Sequence, residues 1–253
     1  MKKRFRGGKK TPEGEKLNLS KTQFITYLGC PRQYYLKYHR GWTEPSDKEN
    51  FLKGNAIHDF WENMYEDYCD IKNGQIKITG ELSDKQLQYY DAIRNMVDFE
   101  QRRYNKVVKK KGLDPEEYFF PISVEEKFQV NGLRGLPDAI YRKENGNLEV
   151  FDLKYSLYSG WKHKFEILFY AKLVDMSGKF DAPVTSGMLL SASDGNLEYY
   201  NFDKFDLLEF ESRIEEVREG INSGKFPACG KNWCNWDYSP PEDATRKPER
   251  IRR

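Results

Sequence analysis

Three short stretches carry acids where their patterning calls for apolar residues. In Asn147 to Tyr155, Leu148, Val150, Asp152 and Lys154 fall on one face of a strand, with Phe151 and Leu153 on the other. Apolar residues on both faces describe a buried strand, so a carboxylate and an ammonium at its end need a reason. One reason is that the strand emerges into water at Asp152, leaving an exposed ion pair worth very little. The other is a carboxylate holding a divalent metal, with Lys154 facing the same reacting centre. The strand before it, Leu133 to Arg142, places Asp138 with Leu136 and Ile140. One strand earlier, Glu126 interrupts the apolar face of Ile122, Val124, Phe128 and Val130. Each acid alone reads as an edge or a satisfied polar residue. Three together, with Lys154, favour a metal site.

The elements that must position these residues follow from periodicity and turn signals. Asn131-Gly132 joins the first two strands as a hairpin. Upstream, Ser20 caps a helix running to about Tyr38, whose Tyr34, Tyr35 and Tyr38 read as core before they read as a stacking surface. A second helix, Asn55 to about Tyr68, carries Ile57, Trp61, Met64 and Tyr68 at helical spacing, with His58 beside the stripe. A lone histidine in that position is ordinarily a core residue with a satisfied hydrogen bond. A third helix spans about Ser83 to Val107. After the strands, a helix from Trp161 to about Met176 puts Glu166 and Tyr170 on one face at i, i+4 spacing. Strands at Val184 to Ser191 and Leu197 to Phe202 and a helix from Phe205 to Ile221 complete the pattern.

In this order the residues resemble the PD-(D/E)XK nuclease superfamily. Gly135-x-x-Asp138, Asp152-x-Lys154 and a helix carrying Tyr170 match its core. The RecB-type group, with its CRISPR-adaptation and phage exonuclease relatives, adds a Gly-x-x-x-His helix, matched by Gly54 to His58, and an opening helix with Cys-Pro, matched at Cys30-Pro31. The resemblance implies an α/β (α+β) fold: a restriction-endonuclease-like core whose central mixed sheet is flanked by helices, with an N-terminal helical part and a cysteine-containing C-terminal tail. It divides the chain into a basic segment (1–18), a nuclease domain (19–238; helical part 19–112, core 119–223, lid 224–238) and a basic tail (239–253). It implies a metal-dependent deoxyribonuclease acting at ends or on single strands. Asp138, Asp152, the Leu153 carbonyl and His58 would bind Mg2+ or Mn2+, hard cations that suit oxygen donors, the imidazole leaning towards manganese. Lys154 would act at the scissile phosphate, and Tyr170 and Glu166 would line the path of the strand. Relatives usually carry Gln where this chain has Glu166. That departure leaves a second reading, a weak or inactive nucleic-acid-binding or assembly protein on the same scaffold.

Iron–sulfur relatives join an early cysteine to three late ones. Cys30 and Cys234 match two of these positions, Cys229 is extra, and Asp237 stands where the next cysteine would be. A four-cysteine cluster would need an unusual set. Three cysteines with Asp237 on zinc have no known spacing behind them. Reduced cysteines in an aromatic lid on the first helix are the preferred reading.

Composition bounds the rest. A net charge of +2 over 253 residues gives no global basic field, while basic residues bunch at the N-terminus, at Lys106 with Lys109-Lys110-Lys111 and from Arg246 to Arg253. Such runs are solvated tails or, on a nuclease, phosphate contacts that read no sequence. Four cysteines do not describe a secreted disulfide scaffold. Without a membrane-length apolar run or a signal-peptide core, the expected location is the cytoplasm of a bacterial or phage-infected cell. The expected partners are DNA and recombination, repair or CRISPR-adaptation proteins, with no membrane.

Overall fold

The computed structural model describes residues 18–43, 48–157, 160–231, 234 and 245–246. Asp237, most of both basic termini and part of the expected lid lie outside the described residues. In chain order the first elements are β1 (Leu19–Ser20), α1 (Lys21–Gly29), α2 (Pro31–Tyr34) and β2 (Trp42–Thr43). Ser20 does cap α1, in a reciprocal box. Its hydroxyl accepts from the Gln23 N–H at 3.2 Å, and the Gln23 side chain accepts from the Ser20 N–H at 2.9 Å. The expected single helix to Tyr38 is broken at Cys30, which is extended (φ −157°, ψ 107°). The residue before a proline avoids the helical region, and Pro31 is tolerated in the first turn of α2. Tyr35–His39 then continues as wider π-helical turns.

Next come α3 (Lys48–Glu62), π-helical Met64–Tyr68, β3 (Cys69–Lys72), β4 (Gln75–Ile78), α4 (Asp84–Leu87), α5 (Tyr90–Tyr104) and α6 (Pro115–Tyr118). The expected helix from Ser83 is thus two helices, the first boxed by Ser83 and Gln86. The β3–β4 hairpin turns at Asn73-Gly74, both at positive φ (53° and 71°). The chain continues through β5 (Ser123–Val124), β6 (Phe128–Val130), β7 (Leu133–Gly135), β8 (Ala139–Arg142), β9 (Leu148–Lys154), α7 (Lys162–Ser177), β10 (Val184–Ser191), β11 (Leu197–Asn201), α8 (Lys204–Asn222) and β12 (Thr245–Arg246). Asn131 and Gly132 (φ 47° and 71°) make the turn between β6 and β7.

The described residues form two compact units. One comprises those within 47–129 and 135–207. Its sheet has the order β11-β10-β9-β8-β5 and is mixed: β9 and β10 run parallel, connected through α7, and the other pairs are antiparallel. This is the mixed α/β arrangement expected of the fold. Every residue of β9 except Lys154 is buried. Phe151 and Leu153 turn to α3 and α5, where the Trp61 ring stacks on Phe151 at 4.5 Å. Burying one such aromatic contributes roughly 1.5–3 kcal/mol. The other face of the sheet takes α7 at close range. A side chain at Gly187 would meet Ile167 at 2.3 Å, which is why β10 has none there.

The second unit comprises the described residues within 1–46, 130–134 and 208–253. Here β1 runs parallel to β7, Leu19 opposite Leu133, and β2 pairs with β12. The Phe24 and Phe210 rings meet edge to face at 5.2 Å, and Tyr34 stacks on Phe226 at 6.1 Å. Tyr34 is buried as expected of core, whereas Tyr38 is exposed.

Candidate active site

The C-terminal end of β9 delivers Asp152 and Lys154 to one face, as their two-residue spacing requires. Asp138 comes from the start of β8, where Ala139 pairs with Phe151. Its Oδ2 accepts the Leu153 N–H at 2.5 Å, tying the two strand ends together. The continuous strand expected over Leu133–Arg142 does not form. Pro137 has no N–H to give a ladder, so β7 stops at Gly135 and Leu136 turns outward. Asp138 therefore stands just ahead of β8, on the side that Ile140 shares with Val150 and Asp152, while Leu136 falls outside the strand.

The strand expected over Ile122–Val130 is also interrupted, with a larger consequence. Glu125 takes a left-handed backbone (φ 42°), its N–H donating to the Asp138 carbonyl at 3.2 Å. A non-glycine residue there costs roughly 1–2 kcal/mol, and such strain gathers at functional sites. The reversal flips the two-residue alternation, and Glu125, not Glu126, joins the cluster. Glu126 instead takes both oxygens to Lys179 and one to Ser123, which hold its carboxyl below the usual range. Glu126 is thus removed from the site. The sequence signal for Glu125 is only that it is the neighbouring acid.

From α3, His58 stands beside the buried stripe of Ile57, Phe60, Trp61 and Met64. Its Nδ1 lies 3.3 Å from Asp138 Oδ1 and 3.4 Å from Glu125 Oε1. Burial pulls the imidazole pKa down, but hydrogen bonds to Asp138 and Glu125 and the charge of Asp152 outweigh it and raise it to about 10. Burial first, then the charge of Asp152, pushes Asp138 above the ordinary carboxyl value. Gly54, the glycine of the Gly-x-x-x-His pattern, is not demanded by packing, since an added side chain there would meet nothing within 4 Å.

The ammonium of Lys154 is 2.5 Å from Asp152 Oδ2 and 3.1 Å from Glu166 Oε2. Glu166 and Tyr170 reach the same region from one face of α7. Burial and then the charges of Asp152 and Asp138 push the Tyr170 hydroxyl far above the usual phenol value, so it stays a protonated donor. Gly135 has a clear steric role. A side chain there would meet Leu173 at 2.8 Å and Tyr170 at 2.9 Å.

Ligand atoms of His58, Glu125 and Asp138 lie within 4.8 Å of one another. Asp138 and Asp152 are only 5% and 2% exposed, so like charges are held together out of water, where a divalent cation would offset their repulsion. The donor set is oxygen-rich with one imidazole and fits Mg2+ or Mn2+. The Leu153 N–H is engaged by Asp138, and a ligand role for its carbonyl belongs to the proposal below.

In the other unit, the Sγ atoms of Cys30, Cys229 and Cys234 also lie within 4.8 Å of one another. Cys30 is fully buried, and its sulfur accepts the Gln33 N–H at 3.3 Å, capping α2. Cys69 begins β3 in the first unit.

No curated protein matches the chain. A solved structure described as "Crystal structure of SSO0001" is similar over 80% of this chain and 77% of its own, at 14% identity and a TM-score of 0.29. The model of the PD-(D/E)XK nuclease superfamily matches residues 18–237. That span contains every residue of the histidine–carboxylate–lysine cluster, and the chain belongs to the PD-(D/E)XK nuclease superfamily.

Proposed function

We propose that the chain is a metal-dependent deoxyribonuclease that acts at DNA ends or on single strands. The observation that carries this reading is the convergence of His58, Glu125 and Asp138 beside the Asp152–Lys154 pair. Asp138, Asp152, His58 and the Leu153 carbonyl, with Glu125 added, would hold Mg2+ or Mn2+. When bound, the ion would neutralise charge on the scissile phosphate and lower the pKa of a water.

The chain's own groups do the rest. Lys154, fixed between Asp152 and Glu166, sets an ammonium where charge develops on the phosphate. Tyr170, held protonated, offers a hydrogen-bond donor beside it. Glu166 holds Lys154 at its working angle and lines the path of the strand with Tyr170. DNA ends would come from the chain's place in recombination, repair or CRISPR adaptation. No helix among the described residues is long and apolar enough to cross a membrane.

The sharing of one lysine by two carboxylates favours a second reading, a DNA-binding or assembly protein with weak chemistry. One experiment separates them. Linear DNA, circular DNA and RNA are incubated with the protein and Mn2+ or Mg2+, with and without EDTA. Nucleotide release from linear DNA that EDTA stops supports the nuclease. Binding with no release under either ion selects the second reading.

A further inference from the structure

A cavity of about 520 Å3 opens in the unit that carries the strand-end cluster, and it contains none of that cluster's residues. Its wall includes Glu149, near the opposite end of β9 and on the face away from Asp152. The volume lies in the range of sites for small molecules. We propose that this cavity binds a nucleoside phosphate.

Charge selects an anion. Arg102, Arg103, Lys106, Lys111, Arg142 and Lys143 line the cavity, against two carboxylates, Glu144 and Glu149. Lys111 already pairs with Glu144, and Arg142 with Asp181. Arg102 and Lys106 are exposed at the rim, one helical turn apart, where like charges repel unless an anion joins them. Arg103 is committed to the wall: its Nη1 is 2.8 Å from both oxygens of buried Glu100, and its guanidinium lies 3.7 Å from the Tyr141 ring centroid. Arg103, its own charge met by Glu100, holds that wall in place, and the exposed Arg102–Lys106 pair supplies the positive charge that an anion would join.

The floor selects what the anion is attached to. Phe99 and Met188 are buried there, and Tyr118, Tyr141 and Tyr199 add three more aromatic rings. Such a surface suits a flat ring rather than a sugar phosphate or an inorganic anion. Buried Glu149 supplies the polar reader. It accepts from the Ser186 hydroxyl at 2.6 Å, which in turn accepts from Lys143 at 3.0 Å, and it hydrogen-bonds Tyr199. A carboxylate so placed takes N–H or O–H groups of a base or ribose, while the rim takes the phosphates.

The test is calorimetric titration of the full chain with ADP, with EDTA present throughout so that the strand-end site contributes no metal-dependent binding. Saturable one-to-one binding is expected. Arg102→Glu with Lys106→Glu, both at exposed positions, should weaken it at least about tenfold, the loss of charge-assisted contacts. Asp138→Asn should leave it unchanged. Three results overturn the proposal: no saturation, no effect of the charge reversal, or inorganic phosphate competing as strongly as ADP. A loss in Asp138→Asn equal to that in the reversal also overturns it, by placing the ligand at the strand-end site. Because the readout is binding without turnover, an inert nuclease site does not affect the outcome.

Discussion

Gly135→Ala tests the geometry that brings Asp138 and Tyr170 to one place. Gly135 is not in the left-handed region, so its backbone tolerates alanine, and the unfolded chain would lose freedom in the variant's favour by roughly 0.4–1 kcal/mol. Against that, the new Cβ would lie 2.8 Å from Leu173 Cδ2 and 2.9 Å from Tyr170 Cε1. Both side chains are buried on α7 and cannot swing into water. Overpacking of this kind costs about 1–3 kcal/mol, so a net loss of about 1–2 kcal/mol is expected. For a chain of this size that lowers Tm by about 2–8 °C. Turnover should fall further than stability explains, because the displaced ring is Tyr170 and the strand leads three residues later to Asp138. The assay is thermal unfolding beside DNA hydrolysis well below Tm. In a Leu173→Ala background the same substitution should cost less, a positive coupling in a double-mutant cycle. Equal or higher stability of Gly135→Ala, with no coupling to Leu173, would refute the close strand–helix approach.

Asp138→Ala and Asp152→Ala are expected to abolish cleavage, while His58→Ala should raise the Mn2+ requirement and keep activity at high Mn2+; full activity in both aspartate variants would remove the site. Lys154→Ala should lose turnover and keep DNA affinity, since one lysine adds little to binding yet acts at the reacting phosphate; an equal fall in both would make it an anchor. Glu125→Gln should cut turnover and metal affinity, whereas Glu126→Gln, which loses the charge of an exposed pair with Lys179 and keeps an oxygen for the Ser123 hydroxyl, should change stability by no more than about 1 kcal/mol and leave turnover intact; the reverse order would restore Glu126 to the site. Protein purified without oxygen should be colourless with less than stoichiometric iron, because three thiols converge where a four-iron cluster needs four, and Cys30→Ser should keep nuclease activity at some cost in stability. A brown preparation with about four irons per chain would overturn that.

The regular parts of the fold are those whose apolar period runs unbroken. β9, β10, α7 and α8 lie within two residues of where alternation and helical spacing put them. The differences cluster where one residue redirects the backbone. Pro31 splits the first helix, Pro137 separates β7 from β8, and the Asn73-Gly74 turn makes a hairpin of a segment that has only four residues on each side. That last turn carries the same Asn-Gly signal as Asn131-Gly132. Its strands are short and partly exposed, so alternation alone gives them little weight.

The cluster obeys the same rule at the scale of single side chains. Alternation counts parity along a strand, and parity holds only while every residue stays extended. Seven regular residues of β9 carry Asp152 and Lys154 to one face, and the ammonium does meet that carboxylate. Between β5 and β6 the count fails, because Glu125 at φ 42° spends one residue on a reversal. Every position after it changes side, so the apolar match of Phe128 and Val130 with Ile122 and Val124 spans two strands in different sheets. His58 was legible only as a pattern, since nothing in its helix distinguishes a ring beside the core from one aimed at acids 67 and 80 residues further on. What aims it is α3 packing Trp61 on Phe151 of β9, and that contact is set by tertiary structure rather than by local sequence.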